Sequence, residues 1–249
     1  MTQDSSDMSL MNEKLVQIIS TSVINTIDEV FTLMRSLDSL LPNDDGLKWF
    51  NLLYLRVTES IRSSLSNEGW ENPQFLERLA VVFAGLYFSA VANWQQDRSS
   101  VTRSSAPLFA ARYRQGIMRV QFAIAGMNGH INHDLPIALL QTSEEQGIVP
   151  RRDTPEHRDF EMVNTIIEAV AEEVKQFLAT GIIGEIDQDL GRLDDVVALW
   201  NIRKARETAW TNTEILWEIR SIPTLRDAFL TNLDRLVGLA TKGLLIPVR

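Results

Sequence analysis

The sequence predicts an all-α protein, a single-domain bundle of about six to seven helices with a kinked central helix. Three observations carry this. Apolar residues recur at helical spacing over most of the chain, and no window shows the sustained alternation of a half-buried strand. The breaks between periodic stretches carry helix start and stop signals.

At 249 residues and 28.2 kDa, with 45% hydrophobic and 23% charged residues, the chain can build its own core. A formal net charge of −9 argues against sequence-independent nucleic-acid binding and against docking on anionic membranes, both of which need clustered cations. With no cysteine, disulfides, thiolate zinc sites and a cysteine nucleophile are excluded. Met1 to Ser9 is polar and acidic, so no signal peptide is expected and a cytoplasmic location is. The most apolar run, Leu79 to Trp94, is read as a buried helix too short to span a bilayer.

Residues 1–10 are expected to form a flexible tail, and residues 11–249 one helical domain. From Asn12 to Leu41 the apolar stripe Leu15, Ile18, Ile19, Val23, Ile27, Val30, Phe31, Met34 and Leu37 predicts one continuous helix, buried on the bundle or on a second copy of the chain. After the turn at Leu41 to Gly46, a second helix runs from about Leu47 to Leu65, with Trp49, Leu52, Leu53, Val57 and Ile61 inward and Tyr54, Thr58 and Glu59 at the edge. Asn72-Pro73 is a start signal for a third helix to about Gln96, apolar nearly all round and therefore central. Asp97 to Ser105 is a polar loop suited to move over a site. Pro107 opens a fourth helix through Tyr113, Ile117, Val120 and Ile124. Further helices span roughly Glu156 to Thr180, Asp194 to Arg220 and Thr224 to Lys242, with Gly181 to Gly191 as a linker.

The fourth helix leads into Gly126-Met127-Asn128-Gly129-His130-Ile131-Asn132-His133-Asp134-Leu135-Pro136, which holds two of the chain's three histidines. On a helix His130 and Asp134 stand at i and i+4 on one face. Pro136 lacks an N–H and crowds the carbonyl of Asn132, so a kink or an end is expected there. A carboxylate beside an imidazole fixes its tautomer and raises its basicity, which makes a general base. The same pair can place two ligands on a divalent metal, or can be a structural network around a kink. His133 lies at a different angle and is read as a surface residue. No Glu-x-x-His spacing supplies a di-iron site. The acids Asp187, Asp189, Asp194 and Asp195 fail the pattern of an isoprenoid-synthase magnesium motif. There is no phosphate loop, nucleophile elbow or dinucleotide fingerprint.

The motif resembles the signature of a mainly bacterial family catalogued as domain of unknown function 5995, roughly Gly-Met-Asn-Ala-His-Ile-Asn-x-Asp-Leu-Pro. The likeness extends to Tyr54-x-x-x-Thr58, Phe83-Ala84-x-x-Tyr87-Phe88-x-Ala90, Val163-Asn164 and Arg203…Ala209-Trp210, and so covers about residues 45–220. It singles out His130, Asn132 and Asp134, leaves His133 at a variable position, and finds Gly129 where alanine is usual, an added flexibility just before His130. It implies no reaction.

The expectation is a small-molecule enzyme with an internal, largely apolar pocket for an apolar or amphiphilic metabolite. His130 is its acid/base and Asp134 orients it, with Asn128, Asn132, Asn164, Arg203, Tyr54 and Thr58 as polar contacts. The chemistry fits an acid/base cyclase, lyase, isomerase or hydrolase, and no cofactor is required, a metal at His130 and Asp134 being the variant. The alternative is a non-catalytic binding or scaffold protein in which the motif is a structural polar network. A pocket reaching His130 separates the first from a sealed, fully bonded cluster.

Overall fold

The computed structural model describes residues 2–67, 69–180 and 201–247. Within them the regular structure is entirely helical. The elements are α1 (Thr2–Thr21), α2 (Ile27–Leu40), α3 (Gly46–Ser64), α4 (Pro73–Gln96), a single 3-10 turn (Arg98–Ser100), α5 (Ala106–Ala111), α6 (Arg119–Gly129), a π turn (His130–Asp134), α7 (Leu135–Gln146), α8 (Pro155–Thr180), α9 (Ile202–Ile219) and α10 (Pro223–Leu244). The expected linker at Gly181 to Gly191, the cap at Asp194 and the acids from Asp187 to Asp195 lie outside the described residues. Asn201 caps α9 instead, its side-chain oxygen accepting from the Lys204 N–H at 2.8 Å.

Two expected helices are each divided. The stretch from Asn12 to Leu41 is not continuous, and helix already begins at Thr2, where the sequence suggests a tail. Ser20, Thr21 and Ser22 turn their hydroxyls back onto the carbonyls of Val16, Gln17 and Ile18, closing α1. Thr26 then opens α2 as a capping box: its side chain accepts from Glu29 N–H while the Glu29 carboxylate accepts from Thr26 N–H at 3.1 Å. Val23, counted in the apolar stripe, falls in the break and is 72% exposed. The stripe elsewhere is buried or, at Ile18, Ile19 and Phe31, partly buried, with α1 against α4 and α2 against α3 and α4.

The helix expected from Pro107 into the motif is likewise interrupted, after Ala111. Arg112 sends a buried guanidinium to the carboxylate of Asp45, the residue that caps α3 by accepting from Leu47 N–H. The backbone reverses through Gly116, whose φ of +79° suits glycine. Tyr113 is therefore outside any stripe and partly exposed.

The start signal at Asn72-Pro73 behaves as expected, Asn72 accepting from Phe75 N–H at 3.1 Å. Among the described residues α4 is the one helix long and apolar enough to cross a membrane on length and composition, more than the Leu79–Trp94 run alone suggests. Here it packs on α1, α2, α7 and α8. Across the core from it, α6 presses on α3 at Gly126, where a Cβ would overlap the Phe50 ring.

Candidate functional site

From Arg119 to Gln146 the helical path does not stop at the motif; it widens. Leu135 N–H bonds back to the carbonyl of His130, five residues earlier, which makes His130–Asp134 a π turn. Pro136 offers no N–H to the carbonyl of Asn132 and would collide with it in a tight α-turn, and the wider turn relieves both problems. Gly129 sits in ordinary helical geometry, so its role is space rather than flexibility: a Cβ there would stand 2.9 Å from the Ser104 carbonyl oxygen.

His130 is 3% exposed. Its ring lies flat on Phe83, with centroids 3.6 Å apart, and meets the Tyr54 ring edgewise at 4.7 Å. Phe50 and Tyr87 complete an aromatic collar from α3 and α4. The Nδ1–H of His130 donates to Asp134 Oδ2 at 3.0 Å, leaving the lone pair on Nε2. That Nε2 is buried and has no hydrogen-bond partner among the described residues. Burial, which disfavours the imidazolium, holds the His130 pKa below its ordinary value despite the nearby Asp134 charge.

The other Asp134 oxygen accepts from His133 Nδ1 at 2.7 Å, and His133 Nε2 lies 3.7 Å from Asp234 on α10. Burial alone would raise the Asp134 pKa, but the hydrogen bonds from both histidines keep its carboxyl below the usual range. His133 moves the other way: burial opposes its charge, and Asp134 and Asp234 together raise its pKa. The Tyr54 phenol is held neutral, first by burial and then by the Asp134 charge.

The structure brings His130, Asp134 and Tyr54 together and disperses the other expected contacts. Asn128 donates to Thr241 Oγ1 at 3.0 Å, and Asn132 donates to the side chain of Asn128 at 3.0 Å, so this pair ties α6 to α10. Thr58 and Asn164 lie on the far side of Tyr54 and Phe83. Arg203 is half exposed and paired with Glu168; the arginine facing inward is Arg206, one turn on. Of the loop from Asp97 to Ser105, the inner end at Ser104 and Ser105 borders the site, and it is anchored: the N–H groups of Arg103 and Ser104 donate to Asp234 at 3.0 and 2.8 Å.

Sequence reasoning missed His133, which is buried rather than on the surface. The signal was present. Val120 to Met127 is apolar or small at almost every position, so the helix has no solvent face to which a neighbour of His130 could turn. Among the described residues no three His, Asp or Glu side chains are grouped to hold a metal ion.

Two cavities flank this cluster. One, of about 20 Å³, is bordered by His130 and Asp134 with Phe50, Tyr87, Ser104 and Gly129. The other, of about 60 Å³, is almost wholly apolar and has Tyr54 and Phe83 in its wall. His130 borders the first and lies behind the wall of the second.

Residues 27–247 match the family of unknown function DUF5995. The chain belongs to that family. The match takes in α2 and α10, both beyond the stretch from 45 to 220 that carries the resemblance in sequence, and begins after α1. No curated protein and no solved structure matches the chain.

Proposed function

We propose that this member of the family is a cytoplasmic small-molecule enzyme in which His130 Nε2 is the general base and Asp134 its orienting carboxylate. The observation that carries the reading is the unpartnered Nε2. A buried acceptor without a partner costs about 1–3 kcal/mol. A network kept only for structure gains nothing by leaving one, whereas a base needs its lone pair free. The adjoining cavity of about 20 Å³ has room for a water or one small polar group of a substrate.

Asp134 supports the same reading, because it fixes the tautomer that exposes the lone pair and stabilises the imidazolium once a proton is taken. The apolar or amphiphilic part of the substrate occupies the larger cavity, so Tyr54 or Phe83 must swing aside to join the two spaces. The test is to incubate the wild type and His130→Gln with a defined mixture of small metabolites and follow each compound by mass spectrometry. Depletion of a compound by the wild type alone supports the enzyme. Identical profiles from two folded proteins return the motif to a structural role.

A further inference from the structure

Among the described residues the larger cavity has one charged group in its lining, and that group forms no ion pair with any of them. Its walls come from α3, α4, the π-turn helix and α8, with Val57, Leu79, Ile131 and Val163 typical of them. About 60 Å³ is space for more than one water, but a water needs two to four polar partners and these walls supply few. The exception is Arg206 on α9, 5% exposed. Its Nε donates to Asn164 Oδ1 at 2.6 Å and its Nη2 to the Phe160 carbonyl at 2.7 Å, while the guanidinium stacks 3.9 Å from the Phe160 ring centre. Nη1 has no hydrogen-bond partner among the described residues, and Arg206 forms no ion pair with any of them.

Glu161 contributes opposite charge but stands one step away: one carboxylate oxygen accepts from Asn164 Nδ2 at 3.1 Å, the other is buried with no hydrogen-bond partner among the described residues, and neither forms an ion pair with Arg206. Burial pushes the Arg206 pKa down to about 9, which still leaves the group charged at neutral pH. A buried, unpaired guanidinium is costly and cannot readily shed its proton.

We infer that this cavity binds a small apolar monocarboxylic acid, its chain among the aliphatic walls and its carboxylate on Arg206. The planar fork of a guanidinium matches a carboxylate. No second cation among the described residues lines the cavity, so a dianionic phosphate would be left half-neutralised. Ile27 lines both this cavity and a broad surface cleft of about 570 Å³ beside Arg62 and Glu77, and so forms the partition through which such a ligand enters. The inference goes beyond the acid/base reading and holds whether or not His130 acts on the ligand.

Calorimetric titration of the full chain with butanoate, hexanoate and octanoate, each beside the alcohol of equal length, tests it. One acid should bind saturably and about ten- to a hundredfold more tightly than its alcohol, the worth of a charge-assisted hydrogen bond. Arg206→Met should erase that difference. Should that variant fail to fold, Ala80→Leu, which fills the cavity and leaves the guanidinium in place, must abolish binding. Equal affinity for acid and alcohol, no saturable binding of any acid, or binding untouched by Ala80→Leu overturns the inference. His130→Gln should leave acid binding intact, so failure of the acid/base reading and failure of this one are separable.

Discussion

The imidazole of His130 and the phenyl ring of Phe83 are parallel within 5°, with centroids 3.6 Å apart. The stack holds the histidine ring in one plane and excludes water from one face of it. Phe83→Ala should cost up to about 3 kcal/mol in a urea melt, the low end for a phenylalanine truncation because Phe83 is only partly buried. With water admitted, the His130 pKa followed by NMR should rise toward the ordinary imidazole value, since burial is what lowers it.

Asp134 accepts from two histidines at once, so its loss leaves both without a partner on Nδ1. Asp134→Asn should destabilise the protein by about 2–4 kcal/mol, roughly two charge-assisted bonds less what the amide recovers. It should also lower the His133 pKa. A melt within error of wild type would show that the triad contributes nothing to the fold.

The two histidines give stability opposite pH slopes on either side of the ordinary value of 6.5. The folded pKa of His133 is raised, so its contribution is full below the unfolded value and is lost as pH rises through the folded one. The folded pKa of His130 is lowered, so between that value and 6.5 the unfolded chain binds more protons and stability falls as pH drops. Asp134, lowered as well, extends the acid-side loss as pH falls from its unfolded toward its folded value. Urea melts from pH 5 to 9 should therefore peak at about 6.5. His133→Gln should flatten the alkaline side and leave the acid side sloping; an unchanged alkaline slope would contradict the assignment.

Gly126 and Gly129 should both resist an added methyl, for different reasons. At Gly126 a Cβ overlaps the Phe50 ring between α3 and α6, and Gly126→Ala should cost about 1–3 kcal/mol despite alanine's better helix propensity. At Gly129 the neighbour is the Ser104 carbonyl oxygen at 2.9 Å, a backbone atom whose own N–H is held by Asp234, so the crowding outweighs the propensity gain of about 1 kcal/mol. Thermal melts should place both Gly126→Ala and Gly129→Ala below wild type; a Gly129→Ala melt at or above wild type would show that the Ser104 carbonyl gives way.

Helix class and the inward turn of His130 and Asp134 were legible because apolar periodicity reports burial directly. The break before Ile27 was legible too, in Thr26-x-x-Glu29, but the apolar stripe spans the gap and masks the capping box. The division at Arg112 was not legible, since the partner that draws Arg112 out of a helix is Asp45, far away in sequence. Choosing Arg203 over Arg206 has the same origin: periodicity says that a helix packs, whereas which of two arginines a turn apart faces the cavity depends on how α9 crosses α8. Phe83 as the stacking partner of His130 was likewise invisible, being a matter of tertiary proximity alone.

A π turn contains one residue more than the same length of α-helix requires. Each residue of an α-helix advances about 100° around its axis, so in a regular helix a surplus residue would rotate everything after it by that angle. The wider turn absorbs the surplus instead, so the face that Val120, Ile124 and Met127 bury before it is continued by Leu135, Ala138 and Leu139 after it. Deleting one residue between His130 and Asp134 would leave a regular α-turn and keep the buried face of α7 inward, but it would destroy the spacing that sets His130 against Asp134 and return the Pro136 ring to collision with a carbonyl.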